Sequence, residues 1–177
     1  MINSFHGKSL RVNSKKIRLF KGRSSKGVKG INLKKDDYVV SLSTLNKNIY
    51  SAEEIDNYFR GKKFSKYDEM KSNEEFILTV TENGYGKRSS SYEYRETGRG
   101  GQGIINIATT DRNGNVSASF PISSEDDIML VTNKGQMIRV NVNEIRVAGR
   151  NTQGVRIFKT SSDEKVVTAV RLAETDV

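Results

Sequence analysis

Between Lys15 and Lys29 the chain carries seven cations, Lys15, Lys16, Arg18, Lys21, Arg23, Lys26 and Lys29, with no acid between them. Such side chains break no bonds; they hold anions, and at this density the fitting anion is a row of phosphates. Were about six of them to meet phosphates, log K would fall against log salt with a slope of about −5. The plain alternative is a solvated basic loop. Lys87, Arg88, Arg95, Arg99, Arg139, Arg146, Arg150 and Arg156 are further candidates for the same work, each weighed against ordinary surface charge.

Other chemistries are poorly supplied. The 177 residues include no Cys and a single His, which removes disulfide frameworks, thiolate metal sites, cysteine nucleophiles and histidine-rich metal clusters. His6 reads as a turn residue without a partner. Glu125, Asp126 and Asp127 enter a predicted strand in sequence and read as a solvated turn, so no metal is expected. Gly98, Gly100 and Gly103 satisfy G-x-G-x-x-G, yet Ile104-Ile105-Asn106-Ile107 follows as a strand pattern. A dinucleotide fingerprint needs a helix N-terminus there.

Charge is concentrated at the front of the chain. Residues 1–42 hold 11 basic and 2 acidic side chains, residues 43–75 hold 6 and 7, and residues 76–177 hold 13 and 12. The total of +9 favours an anionic partner, and nucleic acid before membrane, because no strong amphipathic basic helix is apparent. No run of about 18 apolar residues and no apolar leader core is present, so a cytoplasmic protein without a membrane partner is expected. Hydrophobic residues at 34% and Gly 15 against Pro 1 suit short strands joined by tight turns better than a large helical core.

The elements that must position the cations repeat. Gly22-Arg23-Ser24-Ser25-Lys26-Gly27-Val28, Gly98-Arg99-Gly100-Gly101-Gln102-Gly103-Ile104 and Gly149-Arg150-Asn151-Thr152-Gln153-Gly154-Val155 share G-R-x-x-x-G-[VI]. Upstream of each stands a second shared piece, beginning at Gly7-Lys8-Ser9-Leu10-Arg11, Gly84-Tyr85-Gly86-Lys87-Arg88 and Gly135-Gln136-Met137-Ile138-Arg139. The unit is about 50 residues long, within the span of propeller repeats. The segment from about Ser43 to Glu75 interrupts the first unit.

Each unit reads as four short strands. In the third, Asp127 to Thr132 and Met137 to Val142 form a hairpin across Asn133-Lys134-Gly135. Val155 to Lys159 and Lys165 to Val170 form a second across Ser161 to Glu164. In the second, the strands are Phe76 to Thr81, the run after Gly84, Ile104 to Thr109 and Val116 to Ile122. Four strands per unit predict an all-β, propeller-like array. The expected boundaries are 1–42 for a partial first blade, 43–75 for a charged insertion, 76–122 for a second blade and 123–177 for a third. Within the insertion, Ser51-Ala52-Glu53-Glu54 has capping-box spacing and Ile55, Tyr58 and Phe59 form an apolar stripe, predicting one short helix from Ala52 to Arg60. The charged remainder to Glu75 is expected to be in part disordered.

These strings carry a resemblance. Glu82-Asn83-Gly84-Tyr85-Gly86-Lys87-Arg88, Gly98 to Ile107, and above all Val147-Ala148-Gly149-Arg150-Asn151-Thr152-Gln153-Gly154-Val155 resemble the family of C-terminal domains of bacterial DNA gyrase A, over nearly all of the chain but the insertion. The resemblance implies a β-pinwheel, a propeller relative of six blades that exchange strands with their neighbours, here represented by about three. It implies double-stranded DNA bent around a basic rim. In the intact type II topoisomerase it implies ATP-dependent negative supercoiling alongside the rest of gyrase A and its partner protein, gyrase B. Met1 aligns with Met129, so the chain is expected to begin inside a first-blade strand, as a fragment. The family's Q-R-R-G-G-x-G loop is matched only in part, by Gly98 to Gly103 without the leading Gln-Arg. No Tyr matches the breakage-reunion context, so no catalysis is expected from this chain alone, and ATP and Mg would be used by other parts of the enzyme.

Three alternatives stand beside the DNA-wrapping module. One is the equivalent domain of topoisomerase IV, against which the Gly149 to Val155 string speaks. Another is a propeller-type protein-interaction scaffold. The third is an inert piece whose open sheet edges need an upstream fragment or self-association.

Overall fold

The structure, a computed structural model, describes residues 1–172. Its elements run β1 (Ile2–Ser4), β2 (Lys8–Val12), β3 (Val39–Leu42), α1 (Ala52–Phe59), α2 (Tyr67–Ser72), β4 (Phe76–Thr81), β5 (Tyr85–Ser90), β6 (Glu96–Thr97), β7 (Ile104–Ile105), β8 (Val116–Ile122), β9 (Asp127–Thr132), β10 (Met137–Asn141), β11 (Val155–Arg156) and β12 (Val166–Leu172). Single 3-10 turns follow β2, β5 and β10 at Ser14–Lys16, Ser91–Glu93 and Val142–Glu144. Of the segment 123–177 assigned to a third blade, residues 173–177 lie outside the described residues.

Three antiparallel hairpins, β1–β2, β4–β5 and β9–β10, form where turn chemistry predicts them. The second pairings differ from the expectation. β11 does not return along β12; it pairs with β5 of the preceding unit, Val155 opposite Gly86 and Arg156 opposite Tyr85. Likewise β7 pairs with β2, Ile104 opposite Ser9 and Ile105 opposite Lys8. β8 lies against β4 and β12 against β9. The sheets are thus β3-β1-β2-β7 (with β6 parallel beside β2), β8-β4-β5-β11 and β12-β9-β10. A complete sheet takes three strands from its own unit and one from the next. The G-R-x-x-x-G loop makes this crossing possible. A Cβ on Gly103 or Gly154 would sit 2.6 Å from the carbonyl oxygen of Ser9 or Gly86, and both glycines have positive φ, so a side chain at either position would block the docking.

β4 lies at the centre. Alternate residues of a strand face opposite sides, and both faces of this one are covered. Leu78 and Val80 join Ile128, Leu130, Val142, Ile145 and Val166 in an apolar core shared with the third sheet. Ile77 packs with Met1 and Tyr94 toward the first sheet. That second interface is largely polar. Tyr94 Oη donates to Asn106 Oδ1 at 2.6 Å, the Asn106 amide donates to Thr79 Oγ1 at 3.0 Å, and Asn3, Ser9 and Ser41 extend the network. Each fully buried aliphatic side chain of the apolar interface contributes about 1.5–3 kcal/mol. Satisfied hydrogen bonds contribute about 1 kcal/mol each, so the junction of the second and third blades is the stronger.

Beyond the predicted helix the insertion carries a second one, Tyr67–Ser72, in the stretch expected to be in part disordered. α1 starts at the predicted capping box, Ser51 Oγ accepting from Glu54 N and Glu54 accepting from Ser51 N. α2 follows and buries Met70 completely. Tyr92 Oη donates to the Met70 carbonyl at 2.8 Å, and Tyr58 meets Tyr92 edge-on at 5.8 Å. Few apolar residues suffice here because the second blade supplies the other half of the cluster.

Two minor expectations are also corrected. His6 has a partner: its backbone N–H donates to Asp37 Oδ1, and its ring nitrogen lies 4.0 Å from the same oxygen. Asp126 is buried rather than solvated, accepting from Ser123 N at 2.7 Å and pairing with Arg171 at 2.7 Å.

Candidate nucleic-acid interface

The 3-10 turn after each hairpin is capped in the same way. Asn13 Oδ1 accepts from Lys15 N, Ser90 Oγ from Tyr92 N and Asn141 Oδ1 from Asn143 N. Four residues after each turn begins stands an arginine: Arg18, Arg95 and Arg146, all exposed. A repeated backbone therefore delivers one solvent-facing guanidinium per unit at an equivalent place.

The acid-free segment extends this array. Lys15, Lys16, Lys21, Arg23, Lys26 and Lys29 are exposed. Its end is tied to the next unit's glycine loop, with Gly100 N donating to Gly30 O at 2.6 Å and Asn32 N to Gly101 O at 2.8 Å. This brings the exposed Arg99 beside Lys29. Lys16 pairs with Glu96 at 3.1 Å, Lys29 donates to Asn32 Oδ1, and the Arg18 guanidinium lies 5.3 Å from the Phe20 ring.

Five of the candidate cations are otherwise engaged. Lys87 and Arg88, expected at the surface, are in the interior. Lys87 is 0% exposed and its Nζ donates to Gly149 O at 2.5 Å. Burial pushes its ammonium down to about 7, with Arg150 acting the same way and Glu93 against it. Arg88 Nε donates to Ile145 O at 2.8 Å, and burial lowers its pKa also. Both are excluded from phosphate contact because β5 is covered on both faces. Arg150 is half-buried and donates to Ile105 O, Arg139 pairs with Asp127 at 2.6 Å, and Arg156 donates to Tyr85 Oη at 2.9 Å.

Two further cations with defined partners escaped the sequence. Arg112 donates to the same Tyr85 Oη as Arg156, and both guanidiniums lie 5.3 Å from that ring. Together they hold the Tyr85 phenol below its usual pKa. Arg11 is buried and donates to Ser91 O and Tyr94 O, the counterpart in the first unit of the Arg88 contact. Its place in the shared Gly7 to Arg11 string was the available signal.

Repeated sheets, the first two completed by a strand from the following unit, define a blade array of the β-propeller kind. The family profile described as DNA gyrase C-terminal domain, beta-propeller, matches residues 6–46, 75–123 and 126–173, flanking the insertion. The chain belongs to this family. It is 42% identical over 191 residues to the DNA gyrase A protein of Rickettsia prowazekii, covering 96% of this chain and 21% of that protein. With the gyrase A protein of Salmonella typhimurium it shares 39% over 174 residues, covering 98% and 17%. The chain thus spans about a fifth of the length of these curated relatives. Two solved structures share the fold: a DNA topoisomerase IV C-terminal domain (TM-score 0.76, 22% identity, 99% of this chain and 46% of that one) and a DNA gyrase A C-terminal domain (0.70, 22%, 97% and 49%).

Proposed function

We propose that this chain is a DNA-wrapping module of gyrase A: it holds duplex DNA by the phosphates, bends it along the exposed cations and reads no bases. The observation that carries this is the recurrence of Arg18, Arg95 and Arg146 at equivalent exposed positions, continued by the acid-free Lys15 to Lys29 segment, in a member of the gyrase C-terminal domain family. Bending a duplex has an elastic cost that many phosphate contacts offset, so evenly repeated charges suit the task better than one deep pocket. In the intact enzyme the module presents DNA for negative supercoiling in the cytoplasm, together with the rest of gyrase A and with gyrase B, while ATP and Mg act elsewhere. Among the described residues no helix is long and apolar enough to cross a membrane.

Titrating a labelled linear duplex at two salt concentrations tests the proposal. Binding that weakens steeply with salt is expected; a folded protein that ignores the duplex in dilute buffer would overturn it. The topoisomerase IV reading is favoured by fold likeness alone, whereas 42% identity over nearly the whole chain favours gyrase A.

A further inference from the structure

Two arginines from different units converge on one phenol. Arg112, in the turn that leads into β8, places Nε 3.2 Å from Tyr85 Oη, and Arg156, on β11, places a terminal nitrogen 2.9 Å from the same oxygen. Tyr85 is 4% exposed, whereas both arginines are exposed. A guanidinium carries five N–H donors, and the phenol takes one from each. Among the described residues neither arginine has a further acceptor, and the Tyr85 hydroxyl proton has none.

Two cations held this close repel each other, and a neutral phenol does not cancel their charge. Arg60, Arg139 and Arg171 each hold a carboxylate within 2.9 Å. Arg112 and Arg156 hold none among the described residues. The fold thus gathers two unneutralised forks and one hydroxyl around a single point at the surface, a donor set that matches the oxygens of a phosphate. The place is separate from the exposed arginine row. Tyr85 begins β5 and Arg95 follows its other end, beyond Ser90, so about 17 Å of strand lies between them.

We infer that Arg112, Arg156 and the Tyr85 hydroxyl form a phosphate-binding site across the joint between the second and third units. The guanidiniums grip phosphate oxygens with their outward N–H groups. The phenol, which as acceptor aims both forks, gives its proton to a further oxygen. Because Arg156 arrives on the strand that crosses from the third unit, a bound phosphate fastens that strand to the second. A phosphate of duplex DNA and a free phosphate group offer the site the same oxygens. The inference does not rest on the DNA-wrapping reading.

Inorganic phosphate is the probe. In the isotope-labelled full chain, the Nε–H signals of Arg112 and Arg156 should move together along one saturating curve as sodium phosphate is added, and far less in sodium chloride of equal ionic strength. Arg156→Gln should raise the dissociation constant read at Arg112 at least about tenfold, and Arg112→Gln should do so at Arg156, since each removes charge-assisted hydrogen bonds. Tyr85→Phe keeps both charges and should weaken binding about threefold. A linear duplex then identifies the source. If DNA supplies the phosphate, the double variant Arg112→Gln, Arg156→Gln should make the slope of log K against log salt shallower by about 1.8. An unchanged slope beside saturable binding of inorganic phosphate assigns the site to a free phosphate group. Phosphate binding that both single variants leave intact would overturn the inference, as would signals that move no further in phosphate than in chloride together with an unchanged duplex slope. A protein that ignores duplex DNA would sink the wrapping reading and leave the phosphate titration to decide this one.

Discussion

Arg88 Nε lies 2.8 Å from the carbonyl oxygen of Ile145, one blade further along the chain. Arg11 makes the same reach to Tyr94 O at 3.3 Å. In the first and second units one arginine therefore fastens the blade to the turn of the next, and charge in this family member is divided between internal clamps and exposed cations.

Replacing Arg88 with Ala should lower unfolding stability by about 2–3 kcal/mol, because a charge-assisted hydrogen bond is lost and the Ile145 carbonyl is left buried. Arg146→Ser, at an exposed position, should stay within about 0.5 kcal/mol. Denaturant titration of the two variants against the parent checks the contrast.

Lys87 makes stability depend on pH. Its folded-state pKa of about 7 lies below the ordinary value of 10.5, so the unfolded chain binds more protons between these limits and stability rises with pH across that window. The slope for this one group reaches at most about 1.4 kcal/mol per pH unit. Above about pH 10 the buried Tyr94, whose pKa is raised by burial, opposes the trend, since the unfolded chain then loses the proton first. Lys87→Met should flatten the rise between about pH 7 and 9.5. Midpoints of urea unfolding measured along this range for both proteins decide the matter.

The insertion acts as a brace on the second blade. Met70→Ala, at a fully buried position, should cost about 3 kcal/mol, and loss of the Ser51 cap about 1 kcal/mol. Hydrogen exchange should show faster exchange in both helices for Met70→Ala, but chiefly in α1 for Ser51→Ala.

The sequence made the repeat, the hairpins and the first insertion helix legible, since turn glycines and a capping box are local signals. Strand destinations were not. Val155-Arg156 has strand composition whichever neighbour it joins, and only the close approach of Gly154 to Gly86 sends it to the preceding blade. Lys87 and Arg88 looked like surface charges because nothing local says that β5 is covered on both faces. α2 was hidden for a related reason: its one buried residue, Met70, finds its partner in Tyr92, twenty-two residues away. The cations of the Lys15 to Lys29 segment were legible as exposed because no acid or apolar stripe accompanies them.

Wrapping as proposed requires that the repeated arginines contact phosphates. The most direct measurement is the dependence of duplex affinity on salt for the parent chain and for the triple variant Arg18→Ser, Arg95→Ser, Arg146→Ser. Loss of three phosphate contacts should make the slope of log K against log salt shallower by about 2.7. A triple variant that stays folded and keeps the parental slope would show that these arginines do not meet phosphates.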